Sequence, residues 1–160
     1  MAGGRKRPTI AISSSQSVLR VPRRKIGELI AHVVAAERRR VDAVDVAVVG
    51  AHEMAALNRR FLGRRGPTDV LSFDMSEGAA AARSVQIVVC ADVAVAESAA
   101  RHLRPRRELM LYVLHGLLHL LGYDDGDRRG AAEMGARQEH LLAEFLSTPR
   151  RRTKRSPTHG

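Results

Sequence analysis

His115 and His119 stand four residues apart in the run LHGLLHLLGYDDGD (114–127), followed by Gly122 and by Asp124, Asp125 and Asp127. On a helix that spacing stacks two imidazoles on one face. A glycine at the helix end tolerates the left-handed conformation that reverses a chain, so the aspartates can fold back toward the rings. His115, His119, Gly122 and Asp125 then spell HxxxHxxGxxD, three ligands around an open position, the arrangement expected of a catalytic zinc. Two core histidines with satisfied hydrogen bonds would carry the same HxxxH spacing, and it is the glycine and the aspartate that favour a metal. Asp124 and Asp127 also read as turn or capping residues.

The elements that must position these groups are legible from periodicity. From Leu109 to Leu121 the chain is apolar on every face except at His115, Gly116 and His119, which predicts a helix over 106–121 running through the centre of the fold. Apolar residues at helical spacing predict further helices over 21–40, 51–62, 92–103 and 131–146, with Pro22 at the first helical position of the earliest. Short β-rich runs predict strands over 8–15, 45–50, 70–73 and 85–90, and the stretches GRRGPTD (63–69) and SEGAAAARS (76–84) read as loops. Four strands among about five helices imply an α/β (α+β) domain, a small mixed sheet packed with helices and a cleft beside the central one.

Bulk properties narrow the class. With 160 residues, 44% of them hydrophobic, the chain can bury a core as one domain. No run approaches the roughly 20 apolar residues of a membrane span, and the basic N-terminus is not followed by a signal-like apolar stretch. A cytoplasmic protein without membrane contact is expected. Cys90, the one cysteine, lies in VQIVVC, where it reads as a small buried hydrophobe in a reducing compartment. The net charge of +10 is concentrated at the ends: Arg5, Lys6 and Arg7 at one, Arg150, Arg151, Arg152, Lys154 and Arg155 at the other. Without them, 19 basic residues face 17 acidic ones. The expected organisation is a basic disordered arm at 1–8, a single domain at 9–148 and a basic disordered tail at 149–160, arms that contact polyanions or stay solvated.

HGLLHLLGYDD (115–125) resembles the signature HGxLHLxGYDH of the YbeY endoribonucleases, the bacterial rRNA maturation factors. LNRRFLGRRGPTDVLSF (57–73) is similar to that family's second signature, an LN pair followed by PTDVLSF, and AAEMGARQE (131–139) to its C-terminal helix. The likeness covers about residues 45–146. It implies an α/β fold with a zinc-binding cleft, metal-dependent cleavage of single-stranded RNA, 16S rRNA 3′-end processing and ribosome quality control. Its implied partners are rRNA and the small ribosomal subunit. Three positions depart from the pattern. The third histidine ligand falls on Asp125, the arginine after the signature's aromatic on Leu62, and a glycine-aspartate pair on Val85 and Gln86. A carboxylate oxygen is a legitimate zinc ligand. Its charge lowers that of the metal and its ligands by one unit, which predicts a higher pH optimum than in histidine-ligated relatives and greater tolerance of manganese.

The expected chemistry is RNA phosphodiester cleavage around one divalent ion, zinc first and manganese or another next, held by His115, His119 and Asp125. Arg59 and Arg64 are the candidates to stabilise the added negative charge, though both also read as solvated helix and loop charges, and Arg59, Arg60, Arg64 and Arg65 form the RNA-binding set. Thr68 and Ser72 could line the cleft or bond their own turn. Two rivals stand beside this. A zincin-type peptidase places a glutamate base directly after its first histidine, where this chain has Gly116. A non-catalytic RNA-binding assembly factor would use the basic arms and tolerate Leu62, Gln86 and Asp125. Aromatic residues are scarce, so no base-stacking platform is evident and backbone electrostatics should dominate RNA contact. Nothing in the pattern specifies oligomeric state or a protein partner.

Overall fold

In the computed structural model, which describes residues 6–78 and 82–148, the chain runs β1 (Thr9–Ser14), α1 (Arg23–Glu37), β2 (Ala43–Val49), α2 (Ala51–Leu62), β3 (Val70–Asp74), β4 (Ser84–Cys90), α3 (Ala91–Arg101), α4 (Pro105–Leu120) and α5 (Arg128–Ser147). Each predicted strand and helix is present. The predicted arm and tail fall at residues 1–5 and 149–160 outside the described residues, and within 6–8 Pro8 is buried. Among the described residues no helix is long and apolar enough to cross a membrane.

The strands join in the order β1-β2-β4-β3, with β1, β2 and β4 parallel and β3 antiparallel to β4, so the sheet is mixed as expected. Alternation along the strands sorts its two faces. Val44, Val46 and Val48 of β2 join Val85, Ile87 and Val89 of β4 in the main core, where they meet the apolar stripes of α1 and α4. Val49, Val88, Cys90 and Leu71 form a smaller cluster with Met54 of α2 on the opposite face. Cys90 is free and buried, and burial raises its thiol pKa. Both faces are covered, which is why these strands read as nearly continuous valine runs.

Helix α4 is the centrepiece because more than half of it is inside: Leu109, Met110, Val113, Leu114, Leu117 and Leu118 are among its buried residues. Pro105 occupies its first turn, where the missing N–H costs nothing. Gly116 lets this helix touch the sheet. A Cβ there would stand 3.0 Å from methyl groups of both Ile87 and Val70 and 3.7 Å from Ser72 Cβ. Ser72 therefore meets the helix at that crossing. The same contact leaves no room at position 116 for the glutamate base that a zincin-type peptidase carries there.

Past Leu121 the chain reverses at Gly122, whose φ of 107° only glycine adopts without strain. The Gly122 N–H donates to the His119 carbonyl and the Tyr123 N–H to that of Leu118, satisfying carbonyls the helix end would leave orphaned. Asp124 Oδ1 then accepts from the Gly126 N–H at 2.9 Å, and Asp127 Oδ1 caps α5 by accepting from the Gly130 N–H at 2.7 Å. These two aspartates are turn and cap residues. Asp125 between them is left exposed.

Candidate active-site cleft

A cleft of about 350 Å³ opens beside α4 where four regions meet: the loop before β3 (Pro67, Thr68, Asp69), α3 (Glu97, Arg101), α4 (Glu108, Tyr112, His115) and α5 (Gln138). Glu108, Tyr112, His115 and His119 follow one another at intervals of four, three and four, one polar stripe along a helix otherwise committed to the core.

His115 is the best-defined group. Its ring is about one-third exposed, its Nδ1 lies 3.2 Å from Gln138 Oε1, and its Nε2 lies 3.6 Å from Asp125 Oδ2. With the Gln138 carbonyl accepting from Nδ1–H, a neutral ring keeps its lone pair on Nε2, the nitrogen that faces the carboxylate. That is how a metal-ligating histidine is oriented by a second residue. His119 is exposed one turn further on the same helix. Among the described residues no three histidine, cysteine or acidic side chains converge tightly enough to hold an ion. The geometry thus shows a His115–Asp125 pair, with His119 four residues further along α4. The donor set, two imidazoles and one carboxylate, fits zinc and tolerates manganese.

The walls of the cleft are acidic and partly buried. Glu108 is only 2% exposed, and its Oε1 and the Tyr112 hydroxyl both lack hydrogen-bond partners. Burial, together with the charge of nearby Glu108, pushes the Tyr112 pKa far above the usual phenol range. The loop that carries Asp125 is braced from outside. Tyr123 donates to Glu37 at 3.0 Å and Arg137 Nε donates to the same carboxylate at 2.6 Å, tying the end of α1 and helix α5 to the turn. Burial first, then Glu37, raises the Tyr123 pKa; the hydrogen bond to Glu37 is the main cause raising that of Arg137.

The predicted arginines sit elsewhere. Arg59, Arg60 and Arg65 line a separate hollow on α2 with His52, and Arg64 is exposed on the adjoining loop. Asn58, buried in α2, donates from Nδ2 to the Gly66 carbonyl at 2.9 Å and so shapes that loop. Phe61, 52% exposed, packs edge-on against Phe73 at 5.1 Å with the Arg60 guanidinium 5.3 Å from its centroid, an aromatic surface that the low aromatic count concealed. Thr68 does line the cleft, whereas Ser72 faces Gly116. Gln138, Arg101, Glu108 and Tyr112 were not singled out in the sequence. The stripe spacing from His115 could have revealed Glu108 and Tyr112.

A family model described as Endoribonuclease YbeY matches residues 11–146. This chain belongs to the YbeY family. Relatives named Endoribonuclease YbeY include that of Salinispora tropica, 40% identical over 118 residues covering 66% of this chain and 75% of the relative. That of Micrococcus luteus is 42% identical over 112 residues, covering 65% and 71%. A solution structure of a Thermotoga maritima protein superposes with a TM-score of 0.59 at 26% identity, covering 86% of this chain and 89% of that one. With the YbeY match the resemblance of the two signatures extends to nearly the whole described domain.

Proposed function

We propose that this chain is a metal-dependent endoribonuclease that cleaves single-stranded RNA in rRNA maturation, with 16S rRNA 3′ ends as substrate, in the cytoplasm and in contact with the small ribosomal subunit. One divalent ion, zinc or alternatively manganese, is held by His115, His119 and Asp125. The observation that carries the reading is the approach of His115 Nε2 to Asp125 at 3.6 Å with Nδ1 directed to Gln138, in a chain of the YbeY family. When bound, the ion supplies Lewis-acid polarisation of a phosphoryl oxygen and a hydroxide equivalent near neutral pH.

The protein's own residues orient and neutralise. Gln138 fixes the tautomer and tilt of His115. The Glu37–Tyr123–Arg137 brace holds the turn that carries the exposed Asp125 beside the ring. Arg59, Arg60, Arg64 and Arg65 hold the strand on the α2 surface, outside the cleft. The domain at 9–148 carries these groups, and the basic segments at either end add sequence-independent attraction for rRNA.

The test measures bound metal by mass spectrometry in the full chain and in His115→Ala, His119→Ala and Asp125→Ala, with cleavage of a small-subunit rRNA 3′ fragment in parallel. Each variant should lose metal, and cleavage should fall at least about a thousandfold as the hydroxide source is removed. Stoichiometric metal with no RNA cleavage in the unaltered chain would leave the non-catalytic assembly factor instead.

A further inference from the structure

Arg101 is the only lysine or arginine lining the His115 cleft among the described residues. It is the last residue of α3; His102, at φ 56°, turns the chain away and leaves the guanidinium at the cleft wall. Its Nη1 stands 3.8 Å from Glu108 Oε1 and its Nη2 3.5 Å from Glu97 Oε2, separations longer than a good hydrogen bond. The two carboxylates hold the guanidinium by charge without consuming its fork of N–H donors.

Glu108 makes this anchoring strong. It is almost completely buried, one of its oxygens has no hydrogen-bond partner, and Arg101 is the cation paired with it. A buried carboxylate that loses its counter-charge is costly, so Arg101 stays at the wall although its side chain is 61% exposed. Asp69, Glu97 and Glu108 also line the cleft, and an entering phosphodiester meets their repulsion unless a cation faces it. No arginine of α2 or its following loop lines this cleft, and the position where the family signature has an arginine is the exposed Leu62.

Resting on the RNA-cleavage reading above, we propose that Arg101 binds a phosphate of the RNA strand in the cleft, positioned for it by Glu108 and Glu97. Its planar fork suits bidentate contact with a phosphate, which a lysine reproduces only in charge.

The experiment uses the full metal-loaded chain and a fluorescent single-stranded oligoribonucleotide, with binding followed across a salt series and single-turnover cleavage at saturating protein. Arg101→Gln should slow cleavage about a hundredfold and lower the salt slope of binding by about 0.7. Arg101→Lys should restore the slope but only part of the rate. Because Arg101→Gln strands Glu108, the double variant Arg101→Gln/Glu108→Gln is run beside it. The double variant should regain thermal stability and remain slow; recovery of cleavage would make Arg101 merely structural and overturn the proposal. Oligonucleotides carrying one uncharged methylphosphonate at successive positions supply a binding readout independent of turnover. At one position the loss caused by the methylphosphonate and the loss caused by Arg101→Gln should fail to add; additive losses everywhere would overturn the contact. An unaltered chain that binds RNA but never cleaves it would remove the enzymatic reading, while these binding cycles still decide Arg101.

Discussion

The cleft beside α4 and the hollow on α2 differ in what supplies their charge and in how many elements build them. Side chains of α3, α4, α5 and the loop before β3 meet in the cleft, and its walls carry Asp69, Glu97 and Glu108 against Arg101 alone among the described residues. The hollow comes from one helix and the loop that follows it, with Arg59, Arg60, Arg65 and His52 along its lining. A cleft assembled from distant segments can hold its groups in register, because packing of each element restrains the buried side chains in it. A hollow along one helix gives charge without such restraint. Under the proposed function the contrast divides two tasks of a nuclease: attraction of the polyanion on α2, and orientation of reacting groups beside α4.

The division is tested most severely at Gln138. Gln138→Leu preserves shape but removes the carbonyl that receives His115 Nδ1–H, leaving the ring free to swap tautomers or rotate. Metal affinity should fall about 10- to 100-fold, and cleavage with it, while RNA binding at low salt is retained. Calorimetric metal titration beside an RNA-binding assay separates the two. Equal metal affinity in the variant would mean that the 3.2 Å contact does not orient the ring.

On the α2 side, replacing Arg59, Arg60 and Arg65 together with glutamine should weaken RNA binding about tenfold and lower its salt slope by about 2, since each single-strand phosphate contact contributes about 0.7. The loss should appear in KM rather than in kcat. A fall in kcat of similar size would break the separation and return Arg59 to the chemistry.

How much of this the sequence carries depends on whether a signal is local. The valine alternation of β2 and β4 and the apolar run of α4 are local, and the sheet and the central helix follow from them. HxxxHxxGxxD is local too, because a helix and its terminating turn bring His115 and Asp125 together within eleven residues. Gln138 lies 23 residues beyond His115, and only the packing of α5 on α4 brings it to the ring. Arg101 looks like any charge at a helix end, and Glu108, in the first turn of α4, like a surface residue until its burial is seen. Asn58 shows the reverse case: the LN pair of the signature was visible, but its work, bonding Gly66 to shape the loop, required coordinates. Polar residues acquire roles from tertiary neighbours, which periodicity does not report.

The smallest effect concerns the acidity of the cleft itself and uses the two tyrosines of the chain, Tyr112 and Tyr123. Both have raised pKa values, Tyr112 through burial and then the Glu108 charge, Tyr123 through burial and then its bond to Glu37. In each the folded state favours the protonated phenol, so the stabilisation is fully present below the unfolded value of about 10 and is lost as pH rises through the folded one. Ultraviolet titration should therefore show little tyrosinate near pH 10 while the protein remains folded, with Tyr123 ionising before Tyr112. Glu108→Gln should bring the later step to lower pH without moving the earlier one, because Glu108 is the nearest of the carboxylates acting on Tyr112, with Asp69 and Glu97 beyond it, whereas Tyr123 answers to Glu37 and Arg137. If both steps move together, the variant has loosened the whole domain. If neither moves, Glu108 does not impose a negative charge on the cleft, and the electrostatic contrast with the α2 hollow loses its main support.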